Sequence, residues 1–139
     1  MNPTTTSITT QHRTLSFIIP LMNEQETLEE LYDRIAEQAR RHSKSWEIIF
    51  IDDGSTDASW EVVQSLRERY PNTVKAIRFR TNTGKAGALA CGYEEAIGDI
   101  VFTLDADLQD DPSEIPNFLA KLDEGYDIVS GWKRKRHDP

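Results

Sequence analysis

Short apolar segments rich in β-branched residues alternate along this chain with segments in which apolar residues recur every three or four positions. The first pattern predicts β-strands and the second predicts amphipathic helices. The five expected strands are Leu15–Pro20, Trp46–Ile51, Val74–Phe79, Asp99–Leu104 and Tyr126–Ser130. Strict alternation of strands and helices favours right-handed crossovers, and therefore a mostly parallel sheet with helices on both faces. The predicted fold class is a three-layer α/β/α domain with a mostly parallel, Rossmann-like sheet.

Capping signals predict where the helices begin and end. Asn23 is suited to cap the first helix, with Glu26 three positions later as its capping-box partner. The third helix, at roughly Lys85–Ile97, is rich in alanine and glycine, so it can lie close to a sheet or to a ligand. Gly98 is suited to the position just after that helix, and Ser113 is suited to cap the fourth.

Length and composition limit the classes of protein to consider. The chain of 139 residues has room for one domain, which we predict to span residues 14–136 after a disordered tail at residues 1–13. A formal charge of −8 argues against a general nucleic-acid-binding role. The single cysteine, Cys91, suits a reducing compartment. No apolar run approaches the ~20 residues that cross a bilayer, and no signal peptide is visible, so a cytoplasmic protein is expected.

Polar residues gather after the strands, at the edge of the sheet where ligands bind in parallel α/β folds. Asp105 and Asp107 directly follow the apolar fourth strand, and Gln109 adds an amide oxygen at the next alternate position. Hard divalent cations such as Mg²⁺ and Mn²⁺ prefer oxygen ligands. We therefore predict a divalent cation site at these three residues. The alternative is an acidic loop whose charges favour the following helix N-terminus.

The loop after the second strand holds a second candidate site. Asp52 and Asp53 precede Gly54, which permits a tight turn and the close approach of a ligand. A carboxylate at such a turn can accept hydrogen bonds from a nucleobase or from a ribose hydroxyl. The alternative is a simple turn followed by helix capping from Ser55 or Asp57.

Two cationic features could serve a phosphorylated ligand in this acidic chain. Lys85 opens the third helix, and a helix N-terminus favours anions. The segment Lys133–Arg136 places four cations together, which could contact a diphosphate or anionic lipid at a membrane surface. The alternatives are a solvated loop for Lys85 and a solvated tail for the basic segment.

Together, these residues resemble the nucleotide-sugar-binding half of family 2 glycosyltransferases, which have the GT-A fold. The matching segments follow the order and spacing of the family over residues 14–136, and they are Ile18–Glu24, Ile51–Asp57, Asn82–Lys85 and Asp105–Asp110. The leucine and glutamine at Leu108 and Gln109 point toward the branch of dolichol-phosphate mannosyltransferases and bacterial polyprenyl-phosphate glycosyltransferases.

The resemblance implies a role for each matching residue. The donor-binding residues would be Pro20, Leu21, Asn23, Glu24, Asp52, Asp53, Gly54, Lys85, Asp105 and Lys133. The cation would be bound by Asp105, Asp107 and Gln109, and the two aspartates would serve catalysis. Lys133 stands where relatives carry an arginine for phosphate, and a lysine lacks the bidentate fork of arginine.

The implied reaction is transfer of a sugar, with inversion, from a UDP- or GDP-sugar to a polyprenyl phosphate or a cell-envelope glycan. The cation would neutralise charge on the leaving nucleoside diphosphate. No residue is assigned as a general base, and a polyprenyl phosphate needs none because its phosphate is largely ionised at neutral pH. Family members continue with acceptor-binding elements and often membrane helices, so we expect a truncated chain whose full-length protein is associated with the cytoplasmic face of the membrane.

Two other functions remain open at this point. A sugar-1-phosphate nucleotidyltransferase would carry a glycine-rich loop after its first strand, and Pro20–Glu24 has none. A nucleotide-sugar-binding module without turnover would carry the same donor motifs, and only addition of the missing C-terminal segment would distinguish it from an enzyme. HAD-type phosphatases place their paired aspartates after the first strand instead of the fourth.

Overall fold

The computed structural model describes residues 13–124, whose strands form one parallel sheet. The strands are β1 (Thr14–Leu21), β2 (Ser45–Asp52), β3 (Val74–Arg78) and β4 (Ile100–Thr103). The helices are α1 (Leu28–His42), α2 (Ser59–Arg69), α3 (Lys85–Glu95) and α4 (Ile115–Asp123), with a 3-10 turn at Pro112–Glu114. The predicted alternation of strands and helices is confirmed.

Both faces of the sheet are covered, which makes the domain three-layered as predicted. Helices α1, α2 and α4 pack on one face, over a core that includes Phe17, Phe50 and Phe102. Helix α3 packs on the other face, against Ile18 and Ile49. Because successive strand residues point to opposite faces, burial on both sides requires the nearly continuous apolar runs that the sequence shows.

The strand order creates a switch point in the sheet. The order is β3-β2-β1-β4, so the chain first moves outward from β1 to β3 and then returns to β4 on the other side of β1. The strand order therefore changes direction between β1 and β4, and the carboxyl ends of these two strands lie side by side at the switch point. Ligands bind at such switch points in open parallel sheets.

Helix α3 lies very close to the sheet, as its small residues predicted. A Cβ atom added at Gly92 would lie 2.3 Å from Cγ2 of Ile18 and 2.9 Å from Cδ1 of Ile51. These distances leave no room for a side chain. The glycine therefore sets how near α3, and the residue at its N-terminus, can approach the carboxyl edge of the sheet.

The predicted capping box at Asn23 and Glu26 is wrong. Helix α1 begins at Leu28, and Asn23 adopts a left-handed backbone conformation with φ of 57°. Its side-chain oxygen accepts hydrogen bonds from the backbone N–H groups of Thr56 at 2.9 Å and Asp57 at 3.1 Å. Asparagine tolerates this conformation, and here it ties the loop after β1 to the loop after β2.

Two further capping predictions are also wrong. Asp111, and not Ser113, caps the turn before α4, because the Asp111 carboxylate accepts from the N–H of Ser113 at 3.0 Å. Gly98 does not have the left-handed conformation of a helix-terminating glycine. A Cβ atom there would instead lie 2.5 Å from Oγ of Ser16 and 2.8 Å from its backbone nitrogen. Position 98 therefore requires glycine because a side chain there would collide with β1.

A buried polar network lies at the amino end of the sheet, opposite the switch point. The Glu47 carboxylate accepts from Ser16 Oγ at 2.6 Å and from the Ile97 N–H at 2.8 Å, and Lys75 Nζ lies 2.9 Å away. Burial raises the pKa of Glu47, but these hydrogen bonds outweigh burial and leave the pKa below its ordinary value. The carboxylate therefore stabilises the fold at neutral pH, and that contribution is lost as the pH falls through its folded pKa.

Several predictions concern residues outside the described range. They are the fifth strand at Tyr126–Ser130, the basic segment Lys133–Arg136 with Lys133 as a phosphate ligand, most of the tail at residues 1–13, and the end of the domain at residue 136. Arg13 is described and is buried, with its guanidinium 2.6 Å from the Asp123 carboxylate. Within residues 13–124, no helix has the length and apolarity that crossing a bilayer requires.

Candidate functional site

An open cleft of ≈ 220 Å³ lies at the switch point, beside the carboxyl ends of β1 and β4. Its walls come from the loops after β1, β2 and β4 and from one side of α3. The lining residues are Pro20, Leu21, Met22, Glu24, Asp53, Lys85, Ala88, Asp105, Ala106 and Asp107. The carboxyl edge of the sheet thus brings together residues that are far apart in the sequence.

Most of the residues predicted from sequence line this cleft. Those that do are Pro20, Leu21, Glu24, Asp53, Lys85, Asp105 and Asp107. Asn23, Asp52, Gly54 and Gln109 do not line it. Sequence reasoning missed Met22, Ala88 and Ala106, whose side chains carry no distinctive chemistry; only their places between or beside predicted residues could have indicated them.

The acidic wall of the cleft is held in shape by its own carboxylates. The backbone N–H of Asp105 donates to the buried Asp110 carboxylate at 2.9 Å, and that of Gln109 donates to the Asp107 carboxylate at 3.1 Å. Leu108 adopts a left-handed conformation with φ of 66°, which turns the loop sharply, and the Gln109 side chain is exposed. Asp110 therefore holds the backbone of Asp105 in place, a role that the sequence did not indicate. Carboxylates are rarely buried without a partner, and here the partner is the Asp105 N–H.

The donor set suits a divalent cation. No group of three His, Cys, Asp or Glu side chains within residues 13–124 forms a ready metal cage. Mg²⁺, however, is usually held by one or two carboxylates, with ligand phosphates and water completing its coordination. Asp105 and Asp107 provide two carboxylates on one wall. Burial raises the pKa of Glu24, and the negative charges of Asp107 and Asp105 raise it further, so this side of the cleft attracts cations.

The opposite wall carries a lysine and a helix N-terminus. Lys85 is the first residue of α3, and its Nζ lies 2.8 Å from Oδ1 of Asp105. The preceding Gly84 has φ of 94°, and α3 has neither a side-chain cap nor an acidic residue in its first turn. The positive end of the helix dipole and the Lys85 ammonium therefore both lie at the cleft, where the ammonium is paired with Asp105.

Asp53 joins the loop after β2 to the loop after β3. Its carboxylate is mostly buried and accepts from the backbone N–H groups of Thr83 at 2.7 Å and Gly84 at 2.9 Å. A carboxylate has about four acceptor positions, so capacity remains for a ligand in the cleft. Asp53 thus fixes the start of α3 and also faces the candidate site.

Asp52 lies beneath the turn and not in the cleft. It is fully buried, and one oxygen accepts from the Ser55 N–H at 2.8 Å. Gly54 follows with φ of 91°, and a Cβ atom there would lie 3.1 Å from the backbone nitrogen of Asn82. Asp57 accepts from the N–H of Ser59, the first residue of α2, at 2.8 Å. The turn and capping alternative therefore describes Asp52 and Asp57, while Asp53 faces the cleft.

The sequence of this chain is similar to those of known glycosyltransferases. The sequence model described as "Glycosyl transferase family 2" matches residues 16–138. An undecaprenyl-phosphate 4-deoxy-4-formamido-L-arabinose transferase of Salmonella choleraesuis (strain SC-B67) is 41% identical over 124 residues, which is 89% of this chain and 38% of that protein. The same-named protein of Salmonella paratyphi B is 40% identical over the same shares. The chain therefore spans well under half the length of these relatives.

Solved structures show the same fold. A mannosyltransferase from Pyrobaculum calidifontis, in complex with GDP-Man and Mn²⁺, superimposes with a TM-score of 0.62 and 32% identity over 69% of this chain and 28% of that one. A glucosyl-3-phosphoglycerate synthase from Mycobacterium tuberculosis, in complex with uridine diphosphate, has a TM-score of 0.62 and 26% identity over 79% of this chain and 40% of that one.

Proposed function

Because this chain belongs to glycosyl transferase family 2, we propose that its cleft binds the nucleoside diphosphate of a sugar donor, together with a divalent cation. The observation that carries the proposal is that two carboxylates, Asp105 and Asp107, face a lysine and the N-terminus of α3 within one cleft. A diphosphate with its cation needs both kinds of group, since the cation requires oxygen ligands and the remaining phosphate charge requires donors.

Different residues of the cleft would bind the cation and the diphosphate of the donor. Asp105 and Asp107 hold the cation, and Asp110 fixes the backbone from which Asp105 projects. Lys85 and the α3 N-terminus bind the diphosphate. When bound there, Mg²⁺ or Mn²⁺ would neutralise charge on the leaving diphosphate. Relatives bound to GDP-Man with Mn²⁺ and to uridine diphosphate support a GDP- or UDP-sugar as the donor.

For the whole protein, we propose transfer of the sugar, with inversion at its anomeric carbon, to a polyprenyl phosphate at the cytoplasmic face of the membrane. The names of the Salmonella relatives, which contain undecaprenyl phosphate, support this acceptor. A phosphate acceptor is largely ionised at neutral pH and attacks without a general base.

Lipid-linked transfer can be measured directly. A radiolabelled UDP- or GDP-sugar is incubated with undecaprenyl phosphate, Mn²⁺ and the protein, and the lipid is then extracted. We expect label in the lipid fraction, because holding both reactants together supplies up to about 7–11 kcal/mol of the barrier. Absence of label from the lipid would contradict transfer to this acceptor. Label on a soluble glycan alone would exclude the lipid acceptor.

Asp53 is proposed to contact the nucleoside, since it is the aspartate of the pair that lines the cleft. Asp53→Asn should weaken binding of a nucleoside diphosphate by roughly tenfold, because hydrogen bonds to a charged group contribute about 1.5–3 kcal/mol. Binding of inorganic diphosphate should change less than about twofold, because that ligand lacks the nucleoside. Both affinities are measured by calorimetry, with the exposed Asp33→Asn on α1 as the charge-matched control. Equal weakening of both ligands would instead assign Asp53 to loop structure.

A further inference from the structure

The ion pair between Lys85 and Asp105 joins two residues whose backbones are fixed independently. Nζ of Lys85 lies 2.8 Å from Oδ1 of Asp105, and their side chains are 56% and 27% exposed. The Asp110 carboxylate fixes the backbone of Asp105, and Asp53 fixes the backbone of Gly84 next to Lys85. The backbones at both ends of the contact are therefore held in place, while the Lys85 side chain itself is more than half exposed.

A lysine is an unfavourable choice for the first position of a helix. The dipole of α3 is positive at that end and disfavours a cation there. Helix α3 has no acidic residue in its first turn that would offset the lysine. Favourable charge comes from the Asp53 carboxylate, which accepts from the Gly84 N–H, and from the acidic wall across the cleft, where Asp105 is in direct contact with the lysine.

We propose that Lys85 is an internal counter-ion that occupies Asp105 until a divalent cation displaces it, and that this exchange couples cation binding to donor binding. The inference rests on the proposed function, because it takes Asp105 as a cation ligand. A cation bound to the same carboxylate repels the ammonium at contact distance. The lysine has a flexible four-carbon stem, so its ammonium can move from Asp105 to the diphosphate of the donor.

The exchange has a thermodynamic consequence. Without donor, cation binding must break the Lys85–Asp105 ion pair, and the released ammonium is then only hydrated. With donor present, the released ammonium forms a new ion pair with the diphosphate. Donor therefore raises cation affinity, and by linkage the cation raises donor affinity by the same factor. Lys85 supplies part of that factor, in addition to the direct contact between cation and diphosphate.

Mn²⁺ titrations of the 139-residue chain test this coupling, with free Mn²⁺ measured by electron paramagnetic resonance. Without nucleotide, Lys85→Met should bind Mn²⁺ about threefold tighter than the unsubstituted chain, in the range expected from losing an exposed ion pair. Saturating UDP or GDP should raise the Mn²⁺ affinity of Lys85→Met by a smaller factor than it raises the Mn²⁺ affinity of the unsubstituted chain. Lys85→Arg keeps a cation beside Asp105, so without nucleotide it should not show the tighter Mn²⁺ binding of Lys85→Met. Lys44→Met removes a lysine at the opposite end of the sheet and should change neither value.

The outcomes separate this inference from the proposed function. Equal Mn²⁺ affinity of Lys85→Met and the unsubstituted chain without nucleotide would overturn the counter-ion role, even if nucleotide binding weakened. A Mg²⁺ titration that leaves the NMR signal of the Lys85 ε-methylene group unshifted would also overturn it, because displacement must move that group. Failure of the folded, unsubstituted chain to bind Mn²⁺ with or without nucleotide would instead overturn the cation site itself.

Discussion

Asp107→Asn is expected to weaken cation-dependent binding of a nucleoside diphosphate by at least about 100-fold while leaving the fold intact. Asp107 lines the cleft, and its carboxylate accepts from the Gln109 N–H within its own loop. An asparagine keeps an acceptor for that hydrogen bond but loses the charge. Loss of groups that merely support a metal ligand costs about 10–100-fold in affinity, so loss of a direct ligand should cost no less than the upper end of that range.

The measurement for Asp107 is calorimetry with UDP and GDP in Mn²⁺, together with thermal unfolding to check the fold. Asp111→Asn is the matched control, because Asp111 is in the same acidic segment but caps the turn before α4 and does not line the cleft. Asparagine caps helices as well as aspartate does, so the control should bind like the unsubstituted chain. Unchanged binding by Asp107→Asn would remove this residue from the cation site.

Gly98→Ala is expected to destabilise the fold by about 3 kcal/mol or more, at the upper end of the cost of overpacking. The added Cβ would lie 2.8 Å from the backbone nitrogen of Ser16 and 2.9 Å from the carbonyl oxygen of Thr14. Both are backbone atoms of β1, which is held on its two sides by β2 and β4. It would also press on Ser16 Oγ, which bonds to the buried Glu47 carboxylate.

Urea unfolding monitored by circular dichroism measures that loss. Gly87→Ala is the control, since a Cβ atom at position 87 meets only the Thr83 side chain, at 3.2 Å from Oγ1. Within a helix such a substitution gains up to about 1 kcal/mol of helix propensity, so the control should be neutral or slightly stabilising. If Gly98→Ala unfolded at the same urea concentration as the unsubstituted chain, β1 and the loop after α3 would have to move apart at no cost in stability, and the prediction would be wrong.

The order of elements could be predicted from sequence because it depends on local periodicity. Apolar runs and helical spacing are properties of neighbouring residues, and the alignment of parallel strands then places the residues after β1, β2 and β4 at one edge. This is why Glu24, Asp53, Asp105 and Asp107 were predicted together and do line one cleft. The fold class followed from the same pattern.

The errors concern residues whose partners are distant in sequence. A capping residue and a loop-bridging residue have the same chemistry, so the sequence could not show that Asn23 bonds to Thr56 and Asp57. Asp52 and Asp53 were assigned to one pocket, but neighbouring residues at the end of a strand point to opposite sides. Asp53 lines the cleft and Asp52 is buried beneath the turn, so contact of Asp52 with a nucleoside stays a prediction. The contact between Gly98 and Ser16 likewise joins residues that are distant in sequence, so it could not be predicted from the residues around Gly98.

The central claim is that the cleft binds a nucleoside diphosphate through a divalent cation. Calorimetric titration of the 139-residue chain with UDP and with GDP, once in Mn²⁺ and once in EDTA, tests it most directly. Four carboxylates line the cleft, those of Glu24, Asp53, Asp105 and Asp107, and without a cation their negative charge repels a diphosphate. We expect one of the two nucleotides to bind in Mn²⁺ and to bind at least about 100-fold more weakly in EDTA, a difference of about 2.8 kcal/mol. Equal affinity with and without the cation, or no binding of either nucleotide, would contradict the account.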